Sequence, residues 1–266
     1  MAKAAFNFPF DHPFSARLGG YSIYTRNGKL VIRSKGGPSS EMVKKDSAFA
    51  RARLQMSEFG GCSSAAKMIR DAMASITHLS NVNLQARLTS LVSSIRELDN
   101  NAPGTRSIIF SRGSHLLQGF NLSDNVTFDS VVVTPVTFSI DRATHTAVLQ
   151  LPPLNPGKNF NNTAFPYSYF RFKINLGVLR DMVFIPRIGY RKVLHDPSEF
   201  TEMFETEWYR SGEKLIGQEV GLKFENPVFD ESCQLMLSIG IEFGTPSGMG
   251  IKAVKHAGVG KILGVV

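Results

Sequence analysis

The fold class is decided by two stretches, Tyr167-Ser-Tyr-Phe-Arg-Phe-Lys-Ile-Asn-Leu176 and Cys233-Gln-Leu-Met-Leu-Ser-Ile-Gly-Ile-Glu-Phe243. In both, apolar residues alternate with other residues, which is typical of β-strands half buried on a core. The same period of two recurs from residue 105 onward, in candidate strands at 106–111, 126–140, 144–151, 167–178, 182–191, 214–225, 233–243 and 250–264. So many strands with short turns predict a large antiparallel β-sandwich over residues 105–266, of either jelly-roll or Greek-key order.

Residues 46–104 carry the period of an α-helix instead. Apolar residues recur three and four positions apart over residues 49–76, and Asp46 is placed to cap the start. A second stretch with the same spacing begins near Asn81 or Asn83. Because the link between the two stretches is short, they predict an antiparallel two-helix hairpin.

Residues 1–45 predict a basic arm followed by a β-hairpin. Two β-prone runs, 21–26 and 29–34, flank Asn27-Gly28, the pair that a type I′ turn favours. The preceding arm contains two prolines, which discourage a helix, and four phenylalanines: Phe6, Phe8, Phe10 and Phe14. Such an arm requires an apolar groove, either in its own molecule or in a neighbouring copy.

The net charge of +8 is confined to the amino-terminal part of the chain. Residues 1–70 hold twelve Lys and Arg against four acids, and the remaining residues are balanced. Net charge governs association more than fold, so this asymmetry indicates an acidic partner. The cations singled out for that contact are Arg17, Arg26, Lys29, Arg33 and Lys35, with Lys44 and Lys45 added if the partner is nucleic acid.

An acidic segment interrupts the predicted strands. Between Lys192 and Arg210 there are five acids and no base, and the spacing of the apolar residues predicts a short helical insertion near 196–207. Two interpretations remain open: a solvated helix, or an acidic surface that pairs with the basic arm of another copy. The acids singled out are Glu199, Glu202, Glu205 and Glu207.

No catalytic, metal-binding or cofactor-binding motif stands out in the sequence. The six histidines are scattered without metal-ligand spacing, and the glycines around Lys261 lack the order of a phosphate-binding loop. The two cysteines, Cys62 and Cys233, are expected to be reduced and buried. With no secretory signal and no long apolar run, the expected location is the cytoplasm, without membrane insertion.

The stretch Gly19–Pro38, followed by Phe49-Ala-Arg-Ala-Arg53 and Ser57-Glu-Phe-Gly-Gly61, resembles uncharacterised proteins of Bacteroidota. The resemblance covers about the first quarter of the chain. It implies a glycine-flanked hairpin, a basic exit, a helix and a β-rich remainder, in a bacterial cytoplasmic or mobile-element setting. It implies no activity, cofactor or catalytic residue.

Together these patterns predict an α+β protein that is not an enzyme. The leading hypothesis is a structural subunit that self-assembles into a filament, tube or shell through its Phe-rich basic arm and hairpin, since contacts between unlike patches propagate. The alternative is a nucleic-acid-binding module of a bacterial or phage-like element that uses the same cations on phosphates. No small-molecule substrate is evident.

Overall fold

The computed structural model describes residues 4–7, 15–26, 29–34, 36–186, 188–190, 201–225 and 233–266. The chain divides into two compact units, Met1–Arg53 and Leu54–Val266. Most of the helical residues predicted for 46–104 belong to the second unit, together with the strands predicted for 105–266. Helices and several antiparallel sheets make up the chain, so the predicted α+β class is confirmed.

The first unit contains a four-stranded antiparallel sheet, here named the N-terminal sheet. Its strands are β1 (Ala4–Asn7), β2 (Ser15–Leu18), β3 (Tyr21–Arg26) and β4 (Lys29–Ser34), in the order β1-β4-β3-β2. Strands β3 and β4 pair antiparallel from Tyr21 opposite Ser34 to Arg26 opposite Lys29, which confirms the predicted hairpin. Its turn residues, Asn27 and Gly28, lie outside the described residues.

Helix α1 (Ser40–Lys45) and a 3-10 helix (Ser47–Phe49) follow this sheet. The Asp46 carboxylate accepts a hydrogen bond from the backbone N–H of Ala48 at 2.9 Å. Asp46 is therefore a capping residue, as predicted, but of the short 3-10 helix rather than of the long α-helix that begins at Ala50.

The second unit contains two larger sheets. The first, named the central sheet, has the order β10-β7-β13-β14, with β11 also paired to β7, and the second, named the outer sheet, has the order β12-β6-β5. The strands are β5 (Thr137–Asp141), β6 (Thr146–Leu151), β7 (Tyr169–Arg180), β8 (Phe184–Ile185), β9 (Gly189–Tyr190), β10 (Thr201–Glu205), β11 (Tyr209–Arg210), β12 (Gln218–Lys223), β13 (Cys233–Ser247) and β14 (Gly250–Val265). Strands β8 and β9 form a separate two-stranded pair.

One hydrophobic core is shared by the central and outer sheets. It combines Phe172 and Ile174 of β7 and Leu237 of β13 with Leu149 of β6 and Val220 of β12, all buried. These positions alternate along their strands, so the period of two in the sequence reflects burial in this core.

The opposite face of the central sheet is covered by helices. They are α2 (Ala50–Asp71), a 3-10 helix (Ala74–Leu79), α3 (Leu84–Glu97) and α4 (Phe110–Leu117). A further helix, α5 (Phe128–Val131), contributes Phe128 and Val131 to the core shared by the two sheets. Ile69, Ile76 and Leu88 pack in one cluster with Leu179 and Met236 of the central sheet. Strands β7 and β13 are therefore buried on both faces, and the expectation of half-buried strands is wrong for them.

Glycines in the central sheet allow the helices to approach its backbone. A Cβ atom added at Gly177 would lie 2.4 Å from the carbonyl oxygen of Ala72, and one added at Gly240 would lie 2.7 Å from a methyl of Ile76. Both distances are shorter than side chains tolerate, so the helix layer rests on bare strand backbone at these points.

The two long helices run in opposite directions along each other. Near the start of α2, Glu58 meets Arg96 near the end of α3, with 3.4 Å between charged atoms. Further along α2, the Ser63 carbonyl accepts a hydrogen bond from Gln85 near the start of α3 at 3.0 Å. Asn83, one of the two predicted starts, is the N-cap residue of α3.

The acidic helix predicted near 196–207 is wrong over Thr201–Glu205, which form strand β10. This strand pairs antiparallel with β7, from Thr201 opposite Gly177 to Glu205 opposite Lys173. The ladder of backbone hydrogen bonds along β7 outweighs a helical spacing that involves only a few apolar residues. The residues before it, 191–200, lie outside the described residues, and Glu199 with them.

Two of the candidate strands contain helices instead. The segment 106–111 makes only an isolated bridge at Ile108, and α4 begins at Phe110, whose N–H donates to the Asp181 carboxylate at 2.7 Å. Within 126–140, α5 is capped by Thr127, and the predicted strand is found only from Thr137 onward, as β5. The cap of α4 comes from a residue far away in sequence, which a local pattern cannot reveal.

Candidate functional site

The N-terminal sheet has one face that gathers the predicted cations. Along β3, Ser22, Tyr24 and Arg26 share a face because side chains alternate. The register places Arg17 and Arg33 on either side of Ser22, and Lys29 opposite Arg26. Four of the five predicted cations therefore share a face with Tyr24, and we name these five residues the cationic face: Arg17, Tyr24, Arg26, Lys29 and Arg33. Lys35 lies outside the described residues.

The cationic face carries no neutralising acid within the described part of the chain. None of its four cations forms an ion pair there, and the guanidinium of Arg33 lies over the Tyr24 ring at 5.7 Å from the ring centre. Arg26 and Lys29 are directly opposite each other on neighbouring strands. Like charges in that position repel, so this face is suited to an external anion.

The other face of the N-terminal sheet is mostly apolar, and its described side chains in β2, β3 and β4 all keep contact with solvent. It is formed by Ala16, Leu18, Tyr21, Ile23, Leu30 and Ile32, and we name these six residues the apolar face. The side chain of Leu18 is 69% exposed and that of Tyr21 is 54% exposed. Among the described residues from Ser15 to Arg53, none is buried.

The phenylalanine arm is only partly placed. Phe6 lies in β1, where the backbone register sets it opposite Leu30 of β4. Phe8, Phe10 and Phe14 lie outside the described residues, so their predicted role in association stays a prediction.

Of the predicted acids, Glu205 is already bonded within its own molecule. Its carboxylate lies 2.6 Å from the guanidinium of Arg171 and 2.9 Å from the ammonium of Lys173. Glu202 and Glu207 make no ion pair among the described residues. The acidic surface available to another copy is therefore smaller than the sequence suggested.

A cluster of charged residues beneath the edge of the helix layer was not predicted from the sequence. Glu242 of β13 is buried and lies 2.7 Å from Arg171 and 3.5 Å from Lys173, both on β7. Its other oxygen is hydrogen-bonded to the imidazole of His78, on the 3-10 helix that covers the sheet. With Glu205 these residues form the ion cluster, in which the two carboxylates neutralise the two cations.

The pKa of Glu242 is lowered to about 2 in this cluster. Burial acts in the opposite direction, because it disfavours the charged carboxylate, but the hydrogen bonds from His78 and Arg171 and the charges of Lys173 and Arg171 outweigh it. The Arg171 guanidinium also lies over the Trp208 ring, 4.7 Å from its centre.

The ion cluster ties together the 3-10 helix, β7, β10 and β13. Its charges are satisfied by one another, which is the arrangement of a structural network rather than of a reacting centre. One signal could have revealed it: Arg171, Lys173 and Glu242 interrupt otherwise apolar strands at positions of one face. Recognising the pairing would have required the register that brings β7 beside β13.

Two further features of the described residues are buried or concave: a pair of cysteines and a cleft. Cys62 and Cys233 are both buried and form no disulfide, as predicted. A half-open cleft of about 380 Å³ is lined by Tyr169, Trp208 and Arg210 among others, and Arg210 is paired with Glu213 at 3.2 Å across it. Binding pockets are mostly apolar and enclosing, and this cleft is neither.

Within the ranges that the structure describes, no group of three or more His, Cys, Asp or Glu side chains is arranged to hold a metal ion. No helix in those ranges is both long enough and apolar enough to cross a bilayer. Comparison with family models, curated proteins and solved structures gives no match to this chain. The functional conclusion therefore depends on the residues themselves.

Proposed function

We propose that the protein is a non-enzymatic structural subunit that assembles with copies of itself into a filament, tube or shell in the cytoplasm. The contact we assign to this assembly is the apolar face of the N-terminal sheet. In this proposal the central and outer sheets, with their shared core, form the sandwich that serves as the body of each subunit.

The observation that carries the proposal is that, over the described residues of β2, β3 and β4, no side chain of the N-terminal sheet is buried. A small sheet is marginally stable in water unless its apolar face packs on something. The described residues of the first unit provide no such cover, since Leu18, Tyr21 and Ile23 all retain contact with solvent. A second copy brings an identical apolar face, and two such faces can stack as the sheets of a sandwich do, which closes a dimer. Growth beyond the dimer then requires a second contact, between unlike patches of neighbouring dimers.

The area of the face is informative about the strength of this contact. Two strands of four residues and two of six, at about 3.4 Å per residue and about 4.8 Å between strands, present a flat area of roughly 330 Å². A stable interface buries about 800 Å² on each partner. The apolar face supplies less than half of that area, and the predicted arm with Phe8, Phe10 and Phe14 is the segment that we expect to add to it.

A charge placed on the apolar face tests the proposal. The full chain is compared with Leu18→Asp and with the matched control Ser15→Asp, which adds the same charge to the same strand on the opposite face. Both side chains are exposed, so neither change disturbs a core. The masses are measured by size-exclusion chromatography with light scattering over a hundredfold range of concentration, and the order of the N-terminal sheet is checked by hydrogen exchange.

We expect the wild-type protein and Ser15→Asp to form oligomers whose mass grows with concentration. Leu18→Asp is expected to shift assembly to at least tenfold higher concentration. A wild-type chain that stays monomeric at high concentration and low salt would overturn the proposal. So would a Leu18→Asp variant that assembles as well as Ser15→Asp.

A further inference from the structure

We propose that the cationic face of the N-terminal sheet is a binding site for single-stranded nucleic acid, with Tyr24 stacking on a base and the four cations contacting phosphates. This proposal does not depend on the assembly proposed above, because it uses the opposite face of the sheet. It concerns only residues of β2, β3 and β4, whose register is described.

The residues of the cationic face form rows across the strands. In the first row Arg17 and Arg33 lie on either side of Ser22, and in the third row Arg26 lies beside Lys29. The middle row places Tyr24 between Ser15 and Val31. Because a strand rises about 3.4 Å per residue, consecutive rows are about 7 Å apart. An aromatic ring therefore lies between two rows of positive charge.

This order of charge, aromatic ring and charge is suited to an extended strand of nucleic acid. Proteins that bind single strands combine cations that follow the backbone with aromatic side chains on which unpaired bases stack. In a duplex the bases are already stacked on one another, so Tyr24 would find no partner there. The Arg33 guanidinium lies over one face of the Tyr24 ring, 5.7 Å from its centre, so the opposite face is the one on which a base would stack.

Charge favours a polyanion over another copy of the chain. Glu205, one of the acids predicted to pair between copies, is bonded to Arg171 and Lys173 in its own molecule. Among the described residues, the other predicted acids are Glu202 and Glu207, two against the four cations of the face. A strand of nucleic acid supplies one negative charge per nucleotide, which is enough to neutralise a row of opposed cations such as Arg26 and Lys29.

Fluorescence anisotropy of the full chain with a labelled twenty-nucleotide oligothymidine, and with a labelled duplex of the same length, tests the site. We expect the single strand to bind more tightly than the duplex. With four phosphates contacted, the logarithm of affinity should fall against the logarithm of salt concentration with a slope of roughly −3. Substituting Arg26→Ser and Lys29→Ser together should reduce that slope by about one to two.

The stacking role is tested separately. Tyr24→Ala should weaken binding of the oligothymidine by roughly 5- to 100-fold, and Tyr24→Phe should retain most of it, since the ring and not the hydroxyl makes the contact. Tyr21→Ala, on the apolar face, is the matched control and should leave binding within about twofold. Hydrogen exchange of β3 establishes that each variant keeps the sheet.

Several results would overturn the site. They are an absence of binding at about 50 mM salt, equal binding of single strand and duplex, and a Tyr24→Ala variant that binds as well as the wild type. If the wild-type chain bound no nucleic acid and the double variant Arg26→Ser, Lys29→Ser lost self-association, the cationic face would instead be a contact with another copy. Leu18→Asp separates the two proposals: it should impair assembly and leave binding of the short oligonucleotide unchanged.

Discussion

The central sheet and the N-terminal sheet treat the charge on one of their faces in opposite ways. In the central sheet, Arg171 and Lys173 face Glu242 and Glu205 beneath the helix layer, so the charges are matched within the molecule. In the N-terminal sheet, Arg26 and Lys29 face each other and no acid among the described residues neutralises them. A cation on a strand therefore indicates an external partner only when the fold supplies no acid to neutralise it.

The same contrast holds for apolar residues. Strands β7 and β13 are buried on both faces, whereas none of the described residues of β2, β3 and β4 is buried. The second unit therefore contains its own core, and the first unit has an apolar face on which no described residue is buried. Mutations of equal chemistry in the two sheets should have very different effects on stability.

The largest difference is expected for aromatic residues. Phe172→Ala removes a fully buried ring between the two sheets and should lower the free energy of unfolding by about 3–5 kcal/mol. Tyr21→Ala in the dilute monomer should change it by less than about 0.5 kcal/mol. Urea denaturation followed by fluorescence and circular dichroism measures both. Equal losses would show that the apolar face is covered within one molecule and would break the comparison.

The ion cluster should make the second unit sensitive to acid. Because the folded pKa of Glu242 is lowered to about 2 from an ordinary value of 4.5, its stabilisation is complete above about pH 5. That stabilisation is lost as the pH falls toward 2, and the loss amounts to about 3 kcal/mol. The measurement is the free energy of unfolding of the second unit at a series of pH values.

Two variants test whether Glu242 causes this acid sensitivity. Glu242→Gln leaves the buried Lys173 and the half-buried Arg171 with Glu205 as their remaining counter-charge, so it should be less stable at neutral pH and should lack the loss attributed to Glu242. Glu207→Gln, at an exposed carboxylate without an ion pair among the described residues, should follow the wild-type pH curve. An unchanged curve in Glu242→Gln would mean that other acids cause the effect.

A smaller effect is expected where helices rest on the central sheet. Gly177→Ala introduces a Cβ atom against the backbone of Ala72 and should lower the free energy of unfolding by about 1–3 kcal/mol. Gly221→Ala on β12 is the matched control, because a Cβ atom there meets nothing within 4 Å. Thermal unfolding of the two variants gives the difference. Similar melting temperatures would indicate that α2 can move away from β7.

The sequence predicted those elements whose signals are local. The hairpin of β3 and β4 followed from Asn27-Gly28, and the start of α3 from Asn83, since turn and cap residues act on their immediate neighbours. The alternation in β7 and β13 located the strands and the core-facing side of each. It could not show that helices cover the other side, which is decided by packing between distant segments.

What the sequence missed depends on long-range partners. Strand β10 forms because β7 offers an edge to Thr201–Glu205, and α4 begins where the carboxylate of Asp181 meets its first N–H. The site was predicted in part: Arg17, Arg26, Lys29 and Arg33 were named, but their presence on one face follows only from the register of three strands. That Glu205 is bonded internally could not be read from composition.

The smallest effect is expected at a helix start that local sequence did predict. The Asn83 side-chain oxygen accepts a hydrogen bond from the backbone N–H of Ala86 at 3.1 Å, and Asn83→Ala removes it at a cost of about 1 kcal/mol. Asn83→Asp keeps the acceptor and adds a negative charge at the positive end of α3, so it should be at least as stable as the wild type. Chemical denaturation of the three proteins measures the order. If Asn83→Ala and Asn83→Asp had the same free energy of unfolding, the start of α3 would be held by its packing on the central sheet. Even this locally predicted helix start would then be determined by tertiary structure.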